Sequence, residues 1–332
     1  MTSRRIFLVS PVFHGYWRSI SAALESRGHE VVVHCYDEPR NFKERLENKL
    51  LHDLPETLRW STAAAAMTRK AIQAMHLVRP DVVIVVKGDQ LESEWWTEVA
   101  RSGAAKVTWL YDELRRMRYT QELLKQIGPI ASYSPLDTAR LVDWGASAIH
   151  LPLAYDHRIV MVPEQQSVIT FVGARYPSRE KILQGLQNDG VPVRAYGRTW
   201  SRRLLDVIRT RQFRDSGIAA GPDLTRERAY GVMAGSAATL NLHGDQDGFT
   251  MRTFEAAGVG ALQLVDRPEV AQFFDVGTET LAFSSKEELT ELSERALLDI
   301  SWAESIRVAG RRRALAEHTF DHRARVLEGI WA

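Results

Sequence analysis

The chain has 332 residues, room for about two domains of ordinary size, and its 43 Lys+Arg against 42 Asp+Glu leave it nearly neutral. That balance argues against affinity resting on one broad phosphate-binding surface, and the single cysteine, Cys35, excludes an internal disulfide and a cysteine-based zinc site. No apolar run approaches the ~20 residues of a membrane span, and Met1 to Arg5 is too short and polar for a signal peptide, so the expectation is a soluble, cytoplasmic protein in a reducing compartment.

In chain order, Arg5 to Ser10 is a short apolar run that predicts a strand, followed by a Pro/Gly loop and a helix over Tyr16 to Arg27 that Gly28 ends. Strand signals follow at Glu30 to Tyr36, Asp81 to Val86, Lys106 to Tyr111, Pro129 to Tyr133 and Ser147 to Leu151. Helical stretches lie between them at Leu54 to Val78, Leu91 to Arg101 and Pro135 to Trp144. Asp81 to Val86 is apolar on both faces, which suits a central parallel strand. Strand and helix alternating at this spacing imply an α/β, doubly wound sheet.

Leu151 to Gln166, with Pro152 and Pro163, breaks the pattern and is the expected interdomain hinge. A new strand, Val168 to Val172, then runs through Gly173-Ala-Arg-Tyr-Pro-Ser-Arg-Glu-Lys into a helix over Arg179 to Asn188. Gly173 lets backbone approach a ligand, Pro177 and Ser178 suit a helix start, and Arg175, Arg179 and Lys181 carry charge suited to a phosphate. Val191 to Tyr196 is the next strand. The arginine-rich tract from Ser201 to Arg214 reads as a solvated helix, with an acceptor-side or partner surface as the other reading. Thr225 to Ala234 is helical, Ala237 to Leu242 and Gly260 to Val265 are strands, and Thr250 to Ala257 gives about two helical turns between them. Thr280 to Phe283 is a last strand, with helices from Lys286 onward.

The stretch Asn241 to Leu264 organises the second half. Asp247 and Glu255 lie eight positions apart at opposite ends of its short helix, with Arg252 between them. Asp-Gly-Phe-x5-Glu-Ala-x-x-x-Gly resembles the Glu-Gly-Phe-x5-Glu-Ala-x-x-x-Gly pattern of retaining GT-B glycosyltransferases, with Asp for the first Glu. Asn-Leu-His, Met-Arg-Thr-Phe-Glu, the Phe-Val-Gly-x-x-Tyr-Pro-x-Arg opening at Phe171 and the terminal run from Gly310 are similar to the CgeB-like (spore-maturation type) members. The likeness is strong over about 168 to 330 and looser before it.

That resemblance implies a GT-B fold, two Rossmann-like domains facing each other across a cleft. It divides the chain into an acceptor-side domain over 1–155, a donor domain over 156–318, and a last helix over 319–332 crossing back to the first. It implies transfer of a sugar from a nucleoside diphosphate, a UDP-sugar first among the donors, with retention and with no metal or other cofactor. Glu255 would hold the ribose hydroxyls. Arg252 and Arg179 would face the leaving diphosphate, with Gly173, Arg175 and Lys181 behind them. Asp247 would orient the donor sugar, and His243, Gly248, Phe249, Thr250 and Met251 would complete the donor contacts. On the acceptor side, His14, Asp89 and Asp112 sit at predicted carboxyl ends of strands as candidates for orientation or general base, although such residues also serve as plain caps and turns. The acceptor, a small molecule, glycan or modified base, is not readable. A GT-B epimerase or hydrolase, or a non-catalytic nucleotide-sugar-binding partner, are the other readings.

Overall fold

Val82–Val86 (β3) is five residues of Val and Ile, every one buried. A β-branched run with no polar face has nowhere to sit but the middle of a sheet covered on both sides. The computed structural model, which describes residues 2–38 and 56–331, places it there. Arg5–Ser10 (β1) pairs with it on one side and Ala105–Leu110 (β4) on the other. Glu30–Cys35 (β2), Ile130–Ser132 (β5) and Ala148–His150 (β6) complete a parallel six-stranded sheet of order β2-β1-β3-β4-β5-β6. Its helices are Tyr16–Glu25 (α1), Glu56–Val78 (α2), Ser93–Arg101 (α3), Gln121–Gln126 (α4) and Pro135–Asp143 (α5). Leu54 and Pro55, expected to begin α2, lie outside the described residues.

The second sheet is also parallel and six-stranded. Gln166–Val172 (β7) is followed by Pro177–Asn188 (α6), Val193–Tyr196 (β8), Leu204–Thr210 (α7), Ala219–Gly221 (β9), Arg226–Gly235 (α8) and Ser236–Asn241 (β10). Met251–Gly258 (α9), Gln263–Val265 (β11), Leu281–Ala282 (β12), Lys286–Leu298 (α10), Ile300–Glu317 (α11) and Phe320–Trp331 (α12) follow. The order is β12-β11-β10-β7-β8-β9, the Rossmann arrangement with its reversal between β7 and β10. Strand β9, Ala-Ala-Gly, carries no strand-forming side chain and owes its place to pairing with β8.

The chain divides into two compact units, Met1–Pro152 with Phe320–Ala332, and Leu153–Thr319. Helix α12 belongs to the first unit by sequence-distant contacts. Phe320 meets Trp109 of β4 at 6.5 Å, Glu328 takes the forked guanidinium of Arg27 and the His29 ring, and Arg323 Nε donates to Pro152 O at 2.7 Å. Burial lowers the Arg323 guanidinium to about 10.

Of the segment expected as a hinge, Leu151 and Pro152 belong to the first unit and Leu153 onward to the second. Leu153, Ala154 and Tyr155 are buried, and Val162 N–H donates to Glu227 O at 3.0 Å. Main chain runs so near α8 that a Cβ at Gly231 would stand 1.6 Å from Val162 O, and one at Gly235 1.9 Å from Glu164 O. Only glycine admits that approach. Among the described residues no helix is long and apolar enough to cross a membrane.

Candidate functional site

In an open parallel sheet, ligands bind beyond the carboxyl ends of the strands where the strand order reverses. For the second unit that point is β7 and β10, and the two loops there are Gly173–Tyr176 and Leu242–Thr250. Arg179, in the first turn of α6, ties them together. Its Nη2 donates to Leu242 O at 2.6 Å and its Nη1 to Ala174 O at 3.2 Å, while the guanidinium lies over the Phe171 and Tyr176 rings. Pro177 opens α6, and the side chain of the N-cap Tyr176 makes no capping bond. At α9, likewise, the side chain of the N-cap Thr250 makes no capping bond. Two helix starts and a half-buried arginine therefore converge on one crevice, an arrangement that favours anions.

Behind α9 lies a buried polar network. Glu255 is 0% exposed. Its Oε2 accepts from Arg252 Nη1 at 2.8 Å, its Oε1 from Tyr230 Oη at 3.1 Å, and Arg226 Nε stands 3.8 Å away. Asn241 donates to Thr253 Oγ1 at 2.9 Å, and Thr253 meets His243 Nε2 at 3.1 Å. Asp266, the residue after β11, accepts from His243 N–H and lies 2.8 Å from its Nδ1. Next to it, Arg267 donates to the Gln246 and Asp247 carbonyls at 2.7 and 2.8 Å and covers the Phe249 ring. Asp266 and Arg267 thus shape the Leu242–Thr250 loop, and sequence reading passed over both. The signal available was a charged pair directly after a strand in the right unit.

Two expected donor contacts stand elsewhere. Arg175 turns inward, its fork closed on Glu180 at 2.9 and 3.1 Å with Nη1 donating to Arg214 O, so its charge is matched inside the protein. Desolvation would raise the Glu180 carboxyl, but Arg175 and Arg214 outweigh it and hold it below the ordinary glutamate range. The His243 side chain is wholly buried with both ring nitrogens engaged, so it supports the loop from beneath rather than contacting a ligand through its ring. Lys181 is exposed on α6. Gly173 is fixed by its neighbours: a Cβ there would meet Phe171 Cζ at 2.9 Å, and its carbonyl accepts from Trp200 Nε1 at 2.9 Å. Gly248 and Phe249 are buried, and Asp247, Thr250, Met251 and Arg252 are half-buried around the mouth of the loop.

In the first unit the reversal falls between β1 and β3. His14 follows β1 in a left-handed conformation (φ 47°), exposed and edge-on to Phe13 at 4.2 Å. Asp112, after β4, pairs with Lys87 Nζ at 3.3 Å and accepts from Glu113 N–H. Burial pushes the Asp89 carboxyl up, against the pull of Lys87. Its Oδ1 and the Tyr36 hydroxyl are buried without a hydrogen-bond partner among the described residues. Among those residues no group of three His, Cys, Asp or Glu could hold a metal ion.

A cavity of about 250 Å³ lies at the other end of the second sheet, between the start of β10 and Gly260. Arg307 on its wall is filled by the Ala234, Ser236 and Ala237 carbonyls. It sits at the amino ends of parallel strands, where the sheet supplies no convergent helix starts.

Two parallel six-stranded sheets with flanking helices, each with its own reversal, form the GT-B architecture. Residues 178–329 match a family described as glycosyl transferase-like. A search among curated proteins returns no match. Among solved structures the chain is similar to sucrose-phosphate synthase from Thermosynechococcus elongatus, with 14% identity over 99% of this chain and 98% of that one and a TM-score of 0.67. It is similar to Anabaena HepE in complex with UDP-glucose, with 11% identity over 99% of both chains and a TM-score of 0.66. It is also similar to a DNA-modifying β-glucosyltransferase, with 11% identity over 98% of this chain and 99% of that one and a TM-score of 0.59. At such identities the likeness fixes the fold and leaves the activity to the residues of the site.

Proposed function

We propose that the protein transfers a sugar from a nucleoside diphosphate, with a UDP-sugar as donor, retention of configuration and no metal ion, as a CgeB-like glycosyltransferase. The observation that carries this reading is the crevice between β7 and β10, where Arg179 bridges both loops and the starts of α6 and α9 converge. The glycosyl transferase-like match over residues 178–329 and the UDP-glucose in Anabaena HepE support it.

The diphosphate sits at the starts of α6 and α9. As the glycosidic bond breaks, charge grows on the leaving diphosphate, and cations already aimed there lower the barrier rather than merely tightening the ground state. Arg179 is held in place by the Ala174 and Leu242 carbonyls. Arg252, 27% exposed in its side chain, pairs with Glu255. When donor enters, Arg252 turns from Glu255 to the diphosphate, and the freed carboxylate accepts from the ribose hydroxyls. Asp247, on a loop pinned by Arg267, orients the sugar. Protein cations take the part a divalent ion would play. His14 and Asp112 orient the acceptor, a small molecule, glycan or modified base.

The test is a thermal-shift screen with UDP-, GDP-, dTDP- and ADP-sugars, followed by mass spectrometry of the best donor with and without candidate acceptors. Donor at a hundred times Kd stabilises by about 2.7 kcal/mol. We expect a UDP-sugar to raise Tm most and the sugar to leave UDP only with acceptor present. Conversion of donor alone to an epimer, or to free sugar, assigns the site to the epimerase or hydrolase reading. An intact donor under all conditions leaves a binding protein.

A further inference from the structure

Helix α7 buries none of its residues. Leu204, Leu205 and Ile208 are 72%, 69% and 57% exposed, and Phe213 just beyond is 75% exposed. Apolar side chains scattered singly over a surface are ordinary, but contiguous ones mark a contact. Leu204 and Leu205 lie four and three positions before Ile208, so the three share one helix face.

Arginines surround them. Arg202 pairs with Asp215 at 2.7 Å and Arg214 with Glu180 at 2.6 Å. Arg203, Arg209 and Arg211 are exposed and make no ion pair among the described residues. The segment is also firmly rooted. Trp200, 3% exposed, donates to Gly173 O, Arg175 holds Arg214 O at 2.9 Å, and Ser216 and Ile218 are buried at the far end. The inward-turned Arg175–Glu180 pair thus anchors a projection whose tip is apolar and cationic.

We infer that this projection docks on an anionic lipid surface, with Leu204, Leu205, Ile208 and Phe213 at the boundary of headgroups and acyl chains and Arg203, Arg209 and Arg211 on lipid phosphates. Charge complementarity selects this occupant over a neutral surface. Helix-in-groove recognition reads anchors at i, i+3, i+4 and i+7, and seven-residue α7 has no i+7 position to offer. Docking of this kind is independent of the proposed transfer and is measured without nucleotide.

The experiment is co-sedimentation with vesicles of phosphatidylcholine alone or mixed with phosphatidylglycerol in equal parts, at low and high salt. Wild type is compared with Leu204→Ser/Leu205→Ser/Ile208→Ser and with Arg203→Gln/Arg209→Gln/Arg211→Gln. We expect pelleting only with the acidic vesicles, weakening as salt rises, and a partition coefficient at least about tenfold lower for each triple variant. Circular dichroism melts should stay at the wild-type midpoint, because the changed side chains are exposed. Phe213→Trp gives a second readout that needs no loss of function: a blue-shifted emission difference with acidic vesicles alone. Absence of wild-type pelleting, or equal pelleting of wild type and both triple variants, overturns the inference. So does a concentration-dependent dimer in light scattering that the serine variant abolishes while no vesicle binds, which assigns the face to a second copy.

Discussion

Glu255→Gln separates the two tasks assigned to one buried carboxylate. The amide keeps the shape, so its oxygen can still accept from Arg252 and its nitrogen can face the Tyr230 hydroxyl. The hydrogen bonds survive in number but lose the negative charge. Arg252 keeps its charge, so its contact passes from an ion pair at the upper end of the about 1.5–3 kcal/mol range for bonds to charged groups to the lower end, and weakens by roughly 1–1.5 kcal/mol. Breaking a wholly buried ion pair costs about 3–5 kcal/mol, but Arg252 keeps 27% of its side chain in water, so the lower figure governs that pair. Arg226, 13% exposed and 3.8 Å from Glu255, also loses its counter-charge. We expect a stability loss of about 1–3 kcal/mol, roughly 2–4 °C in Tm for each. If ribose also rests on this carboxylate, UDP affinity falls at least about tenfold, ~1.4 kcal/mol. Urea unfolding with and without UDP, together with calorimetry, reads both quantities. An unchanged unfolding midpoint would refute the ion-pair reasoning. Lower stability with unchanged UDP affinity would remove Glu255 from the ribose and leave it as the holder of Arg252.

Arg179→Ala unties the β7 and β10 loops, and we expect UDP affinity and turnover to drop at least about tenfold each, with Arg179→Lys failing to restore them because one ammonium cannot reproduce the fork; wild-type kinetics would make the arginine a surface residue. Chelator should leave transfer intact, and activity lost to chelator and restored by magnesium or manganese would overturn the metal-free reading. Burial alone would raise the Glu328 carboxyl, but Arg27 and His29 outweigh it and hold it below its ordinary 4.5. A depressed carboxyl contributes stability above its unfolded value and loses it as pH falls through the folded one. Glu328→Gln should therefore destabilise the protein at neutral pH, with the gap to wild type closing in acid; a constant gap in melts across pH would refute the linkage.

Most strands were legible because parallel strands buried on both faces leave little but Val, Ile, Leu and Ala to read, as β3 does over its full length. The Leu242–Thr250 loop stood out as a candidate because its residues lie close together in sequence. What escaped depends on distance along the chain. Arg175 and Arg179 look alike in one cationic loop, and only Glu180 together with Arg214, 34 positions away, decides that Arg175 turns in. His243 looked like a ligand contact until Asp266, 23 positions on, claimed its ring. Strand β9 has no pattern of its own, and its place comes from the neighbour it pairs with.

The first unit is interrupted by the whole of the second, and α12 is made only after Thr319. Until then Arg27 and His29 wait without Glu328, and Trp109 without Phe320. During synthesis the second unit, continuous in sequence, can reach its native core before α12 is available to complete the first. The order of maturation therefore runs against the order of translation: the segment that leaves the ribosome earliest is the one completed last.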